Sequence, residues 1–143
     1  MLLSKLKQHP QLMDLYDAIS DNLPRDEAER WQKRFLAIRV EADLSTIHHK
    51  FFVWLLSVSV SDMPSVKEVV RLHQAVIDGE EVTKEQWRKA SDACRKDTTR
   101  EDAYSSYAAA YSTDYLTDAI AIRCANRSYR SIADKLIELL KAA

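Results

Sequence analysis

EAERWQKRFLAIRVEA, residues Glu27 to Ala42, places Ala28, Trp31, Phe35, Ile38 and Ala42 at successive spacings of three, four, three and four. Apolar residues at that period share one face of an α-helix, and Glu27, Glu29, Lys33 and Arg34 mostly face away from it. The period recurs on both sides of this stretch. Upstream, Pro10 suits a first helical position, and Leu12, Leu15, Tyr16 and Ile19 form a stripe ending near Asn22, Leu23 and Pro24, with a looser turn ahead of it. Downstream, Ser45 is placed to cap a helix carrying Ile47, Phe51, Trp54, Leu55 and Val58, apolar nearly all round and so suited to the centre of a bundle. Its end, VSVSDMP, alternates like a strand, but no second alternating segment offers a partner, and helix is the expectation.

Asp62 to Pro64 forms the next break. Ser65 and Glu68 make an S-x-x-E capping box ahead of Val69, Val70, Leu72 and Val76, and Gly79 supplies the C-terminal stop. Thr83 and Gln86 repeat the capping box for a helix bearing Trp87, Ala90 and Cys94, and the polar segment Lys96 to Arg100 closes it. From Tyr104 one helical face then collects Tyr107, Tyr111, Tyr115, Ala119, Ile122, Asn126, Tyr129, Ala133, Leu136 and Leu140. A straight helix keeping that phase would run about 60 Å, against a radius of gyration near ~14.5 Å for a compact domain of this length. A break is therefore expected, first at the cluster Ser112, Thr113 and Asp114, and second at Asn126 to Ser131, where Ser131 and Asp134 form an S-x-x-D signal. The predicted fold is an all-α, single-domain bundle over residues 1–143, of about six or seven helices with a long, broken C-terminal helix.

Composition narrows the chemistry. The single glycine, Gly79, leaves no room for a P-loop, a dinucleotide fingerprint or a nucleophile elbow, each of which needs two or more glycines at fixed spacing. Twenty-one basic and 22 acidic residues nearly cancel over 143 residues, which disfavours a nucleic-acid partner. Cys94 and Cys124 show no metal or redox spacing and read as buried free thiols. Met1 precedes LLSKLKQHPQ, which lacks the apolar core of a secretory signal, and the ten apolar residues Phe51 to Val60 fall short of the roughly twenty that span a bilayer. A cytoplasmic protein with no membrane contact is expected.

No constellation marks catalysis, a metal or a cofactor. His48 and His49 are adjacent and point about 100° apart on a helix, and His9 and His73 lie in other segments, so structural histidines are expected. Asp114 and Asp118 share a face but read as helix-capping residues. The candidates for partner binding are the tyrosine row Tyr104, Tyr107, Tyr111 and Tyr115, whose rings combine area with low entropic cost, and the basic stripe Arg123, Arg127 and Arg130. Asp78, Glu80 and Glu81, with Glu85 nearby, add an acidic turn around Gly79. Packing of the tyrosines between helices and solvation of the charged runs are the competing structural readings.

Tyr104-Ser-Ser-Tyr-Ala-Ala-Ala-Tyr111 and Ser131-Ile-Ala-Asp-Lys-Leu-Ile-Glu-Leu-Leu140 together resemble the C-terminal half of the Imm5-like immunity proteins of bacteria and phages, over about forty residues. That family's chains are alanine-rich helices with aromatics every three or four residues, closing on an amphipathic helix. The resemblance implies a small protein that binds and neutralises another protein, and it transfers no catalytic residue. The expected function is thus a non-catalytic inhibitor whose partner is a toxin or a subunit of a defence complex. A phage anti-defence inhibitor, such as an anti-CRISPR protein, and a helical enzyme with a dispersed His/carboxylate site are the alternatives.

Overall fold

The computed structural model describes residues 2–39, 43–57, 64–96 and 129–143, and among these the chain forms seven helices and no strand. They are α1 Leu2–Leu6, α2 Pro10–Asn22, α3 Arg25–Leu36, α4 Ile47–Ser57, α5 Pro64–Ile77, α6 Lys84–Lys96 and α7 Tyr129–Ala142. The all-α reading holds. The expected break at Ser112 to Asp114 and the strand-or-helix question at Val58 to Val60 lie outside the described residues.

Local chemistry explains most of the boundaries. Pro10 opens α2, where its missing N–H costs nothing, and Leu23 in extended geometry closes it. Asp26 and Glu27 stand in the first turn of α3 and Lys33 and Arg34 in its last, each opposing the nearby end of the helix dipole. This helix stops at Leu36, short of its apolar stripe, and Ile38 packs on the core from the turn beyond, its N–H donating to the Phe35 carbonyl at 3.2 Å. Where a loose turn was expected before Pro10, the five residues of α1 instead bury Leu2 and Leu6.

Three of the expected caps are different in the structure. Asp43, not Ser45, organises the entry to α4: its carboxylate accepts from the Ser45 N–H at 2.9 Å and the Ser45 hydroxyl at 2.8 Å. Ser65 lies one residue inside α5 and is buried, while the Glu68 carboxylate turns to Arg71 at 2.6 and 2.8 Å, so the S-x-x-E box does not form. Ser131 and Asp134 likewise both lie within α7, and the Asp134 carboxylate reaches Arg34.

Gly79 and Thr83 act as read. Gly79 adopts φ +87°, its N–H donates to the Val76 carbonyl at 3.1 Å, and the Glu80 N–H donates to Ala75 at 2.9 Å, the paired bonds of a Schellman motif. Thr83 and Gln86 exchange reciprocal bonds of 2.8 and 3.2 Å ahead of α6. A Cβ added at Gly79 meets nothing within 4 Å, so Gly79→Ala is expected to cost about 1–2 kcal/mol from backbone strain alone. A urea titration reads this as a lowered midpoint with unchanged slope; an unshifted midpoint would mean that the turn relaxes without penalty.

One apolar cluster draws on every described helix and centres on α4, which packs against α2, α5 and α7. Phe51, Phe52, Leu55 and Leu56 of α4 are buried, as expected of a helix apolar nearly all round. From α7 come Ile132, Ala133, Leu136, Ile137 and Leu140, and from α3 Ala28, Trp31 and Phe35. Trp31 stacks on Tyr16 of α2 with centroids 5.3 Å apart and lies 5.1 Å from Phe35, and its indole N–H donates to the Ala133 carbonyl at 3.0 Å. That aromatic block sets α7 beside α3.

Candidate functional site

Along α3, residues 27, 30, 31 and 34 crowd one edge, since steps of three and four bring side chains together. Along α7 the matching edge carries Arg130, Ala133 and Asp134. The edges are laced by Glu27 with Arg130, by the Trp31 indole with Ala133, and by Arg34 with Asp134 at 3.5 Å. Partners ascend in number on both helices, so α3 and α7 run in the same direction along this seam. Between them lies an open hollow of about 240 Å³ lined by Leu23, Glu27, Arg30, Trp31, Arg34, Arg130, Ala133 and Asp134.

The Arg130 guanidinium bonds both oxygens of Glu27, through Nε at 2.9 Å and through Nη2. This fork geometry is strong and directional. The bonds from Arg130, with the charges of Arg130 and Arg30, hold the Glu27 carboxyl below its ordinary range. Glu27 is shielded, its side chain 23% exposed, whereas that of Arg130 stays 70% exposed. Arg30 makes no ion pair among the described residues, and Arg34 remains 57% exposed beside Asp134. The hollow therefore has an apolar floor of Leu23, Trp31 and Ala133 under guanidinium groups that keep donors facing solvent. Such an arrangement offers hydrogen-bond donors of the kind that suit carboxylates and other anions.

A second cluster gathers where α4, α5 and α6 meet. His49 Nδ1 lies 2.8 Å from His73 Nδ1, one ring donating and the other accepting. The His48 ring sits 3.9 Å from that of His49, while Trp87 and Phe52 lie 4.7 and 5.5 Å from the buried His73. Burial drives His48 down to about 3, with His49 and His9 adding repulsion, and burial takes His49 down to about 4. Both rings are neutral at neutral pH. Among the described residues no three His, Cys, Asp or Glu side chains converge as metal donors.

Of the candidates read from sequence, Arg130 falls on the α3–α7 hollow. Asp78, Glu80 and Glu81 are exposed around Gly79, with Asp78 accepting from the Gln74 amide at 3.1 Å and Glu85 paired with Arg88. Tyr104, Tyr107, Tyr111, Tyr115, Arg123 and Arg127 lie outside the described residues, as does Cys124. Sequence reading did not single out Glu27, Arg30, Asp134 or the His49–His73 contact. The one available signal for the first group was the pair Arg30 and Arg34 flanking Trp31 on the stripe, which in isolation reads as a solvated edge. No family model, curated protein or solved structure matches this chain. Among the described residues no helix is long and apolar enough to cross a membrane.

Proposed function

We propose that this chain is a non-catalytic protein-binding inhibitor of the immunity-protein or phage accessory type, neutralising a partner by occupying its functional surface. One observation carries the reading: the α3–α7 edge presents Arg30, Arg34 and the 70% exposed Arg130 above an apolar floor. Arginine is enriched in interface hot spots, and its planar fork binds carboxylates with little further ordering. The tyrosine row, outside the described residues, supplies aromatic anchors in the same reading. The partner is a toxin or a subunit of a defence complex. A neighbouring toxin gene marks the immunity role, and neighbouring phage structural genes mark the anti-defence role.

Affinity purification of the tagged chain from its host, followed by titration into the captured partner's own assay, tests the proposal. Inhibition is expected to reach its endpoint at equimolar chain, and Arg30→Glu with Arg130→Glu to weaken it by about tenfold or more. Full partner activity at saturating chain would sink the reading. The His49–His73 contact favours one second reading, a helical enzyme with a dispersed histidine site. Stoichiometric metal held by two or more histidines in the purified protein is the finding that would replace the first reading by the second.

A further inference from the structure

The hollow does not end at Arg34. A second open hollow of about 410 Å³, lined by Arg34, Ala37, Ile38, Arg39 and Lys141, shares that residue and continues past the end of α3 beside α7. From Arg130 to Lys141 α7 advances eleven residues, about 16 Å at 1.5 Å per residue, while α3 accompanies it from Glu27 to Leu36 and the turn beyond carries Ile38. We infer that the two hollows form one seam that takes an extended acidic segment of a partner polypeptide, about five residues long at roughly 3.3 Å each. The inference rests on the protein-binding reading above.

Three features select this occupant. Arg30 and Arg34 are one turn apart, about 6 Å along the axis, and alternate side chains of an extended segment repeat at about 6.6 Å. Acidic residues at positions i and i+2 thus face both guanidinium groups, while the residue between them points outward. Among the described residues, five cations, Arg30, Arg34, Arg39, Arg130 and Lys141, line the seam against two carboxylates, Glu27 and Asp134, on a chain whose net charge is -1. That local excess attracts an acidic strand. The half-buried Ile38 gives the segment apolar contact that a phosphate backbone cannot use.

The probe is a fluorescently labelled peptide alternating glutamate and valine over five residues, followed by anisotropy at about 50 mM salt so that surface charge is not screened out. Binding with a Kd below about 1 mM is expected. It should weaken by about tenfold in Arg34→Glu and in Arg39→Glu, and stay unchanged in Lys67→Glu, the same charge reversal on the exposed face of α5. Arg39 has no described ion pair to lose, so its variant reports on binding even where Arg34→Glu disturbs the Asp134 contact and the fold. No binding of the peptide, equal loss in Lys67→Glu, or tighter binding of a labelled five-nucleotide thymidine strand would each overturn the inference. Partner inhibition that is lost in Arg130→Glu but intact in Arg39→Glu and Lys141→Glu overturns the extended seam and leaves the inhibitor reading standing.

Discussion

Trp31→Ala is expected to cost about 3–5 kcal/mol, a large fraction of the roughly 5–15 kcal/mol that holds a domain of this size together. The indole is 3% exposed, stacks between Tyr16 and Phe35, and donates its N–H to the Ala133 carbonyl. Truncation leaves a cavity between α2, α3 and α7, and the surrounding backbone can collapse into it only in part. Trp31→Phe keeps most of the volume and removes one hydrogen bond, so its cost is expected to be smaller, about 1–2 kcal/mol. Urea unfolding followed by circular dichroism measures both. A Trp31→Ala midpoint within experimental scatter of the parent's would show that α7 does not depend on this ring for its place beside α3, and the seam would lose its foundation.

Acidification from pH 7 to pH 5 is expected to remove several kcal/mol of stability through the histidine cluster. In the unfolded chain a histidine takes up its proton near pH 6.5. In the folded chain His48 and His49 hold out to about 3 and about 4, so below pH 6.5 the unfolded state binds protons that the native state refuses. Their contribution is complete above pH 6.5 and is lost progressively as pH falls toward those values. By pH 5 the loss is about 2 kcal/mol for His48, and less for the more accessible His49. Asp17, raised by burial and by Asp21 and Asp14, contributes in the opposite sense, its penalty being relieved as pH falls. Unfolding free energies measured at pH 7, 6 and 5 should therefore slope downward, and His48→Gln should flatten the slope. A parent protein equally stable at pH 7 and pH 5 would mean that the cluster is open to water.

What could be read early followed the range of the interaction. Pro10, the Thr83–Gln86 box and Gly79 each act within a few residues of themselves, and their roles as helix start, cap and stop were legible from spacing alone. Ser65 and Glu68 carry the same kind of local signal and mislead. The box competes with two alternatives a short window does not weigh: Pro64 starts the helix one residue sooner, and Arg71 offers Glu68 a charged partner. Ser45 lost to Asp43 for a related reason, the carboxylate being the stronger acceptor two residues away.

The sequence by itself determined an all-α chain with amphipathic stripes, because helical period is a property of neighbours three and four apart. Tertiary structure alone decided the candidate surfaces. Glu27 and Arg130 stand 103 positions apart, Arg34 and Asp134 100, and His49 and His73 24. No periodicity links such residues. Trp31 burying its ring against α7 brings the first two pairs together, and the packing of α4 on α5 brings the third. Burial then gives them their character: water withdrawn from His48 and His49 leaves them neutral, and Glu27 shielded beneath Arg130 fixes one face of that guanidinium while the rest stays exposed to solvent.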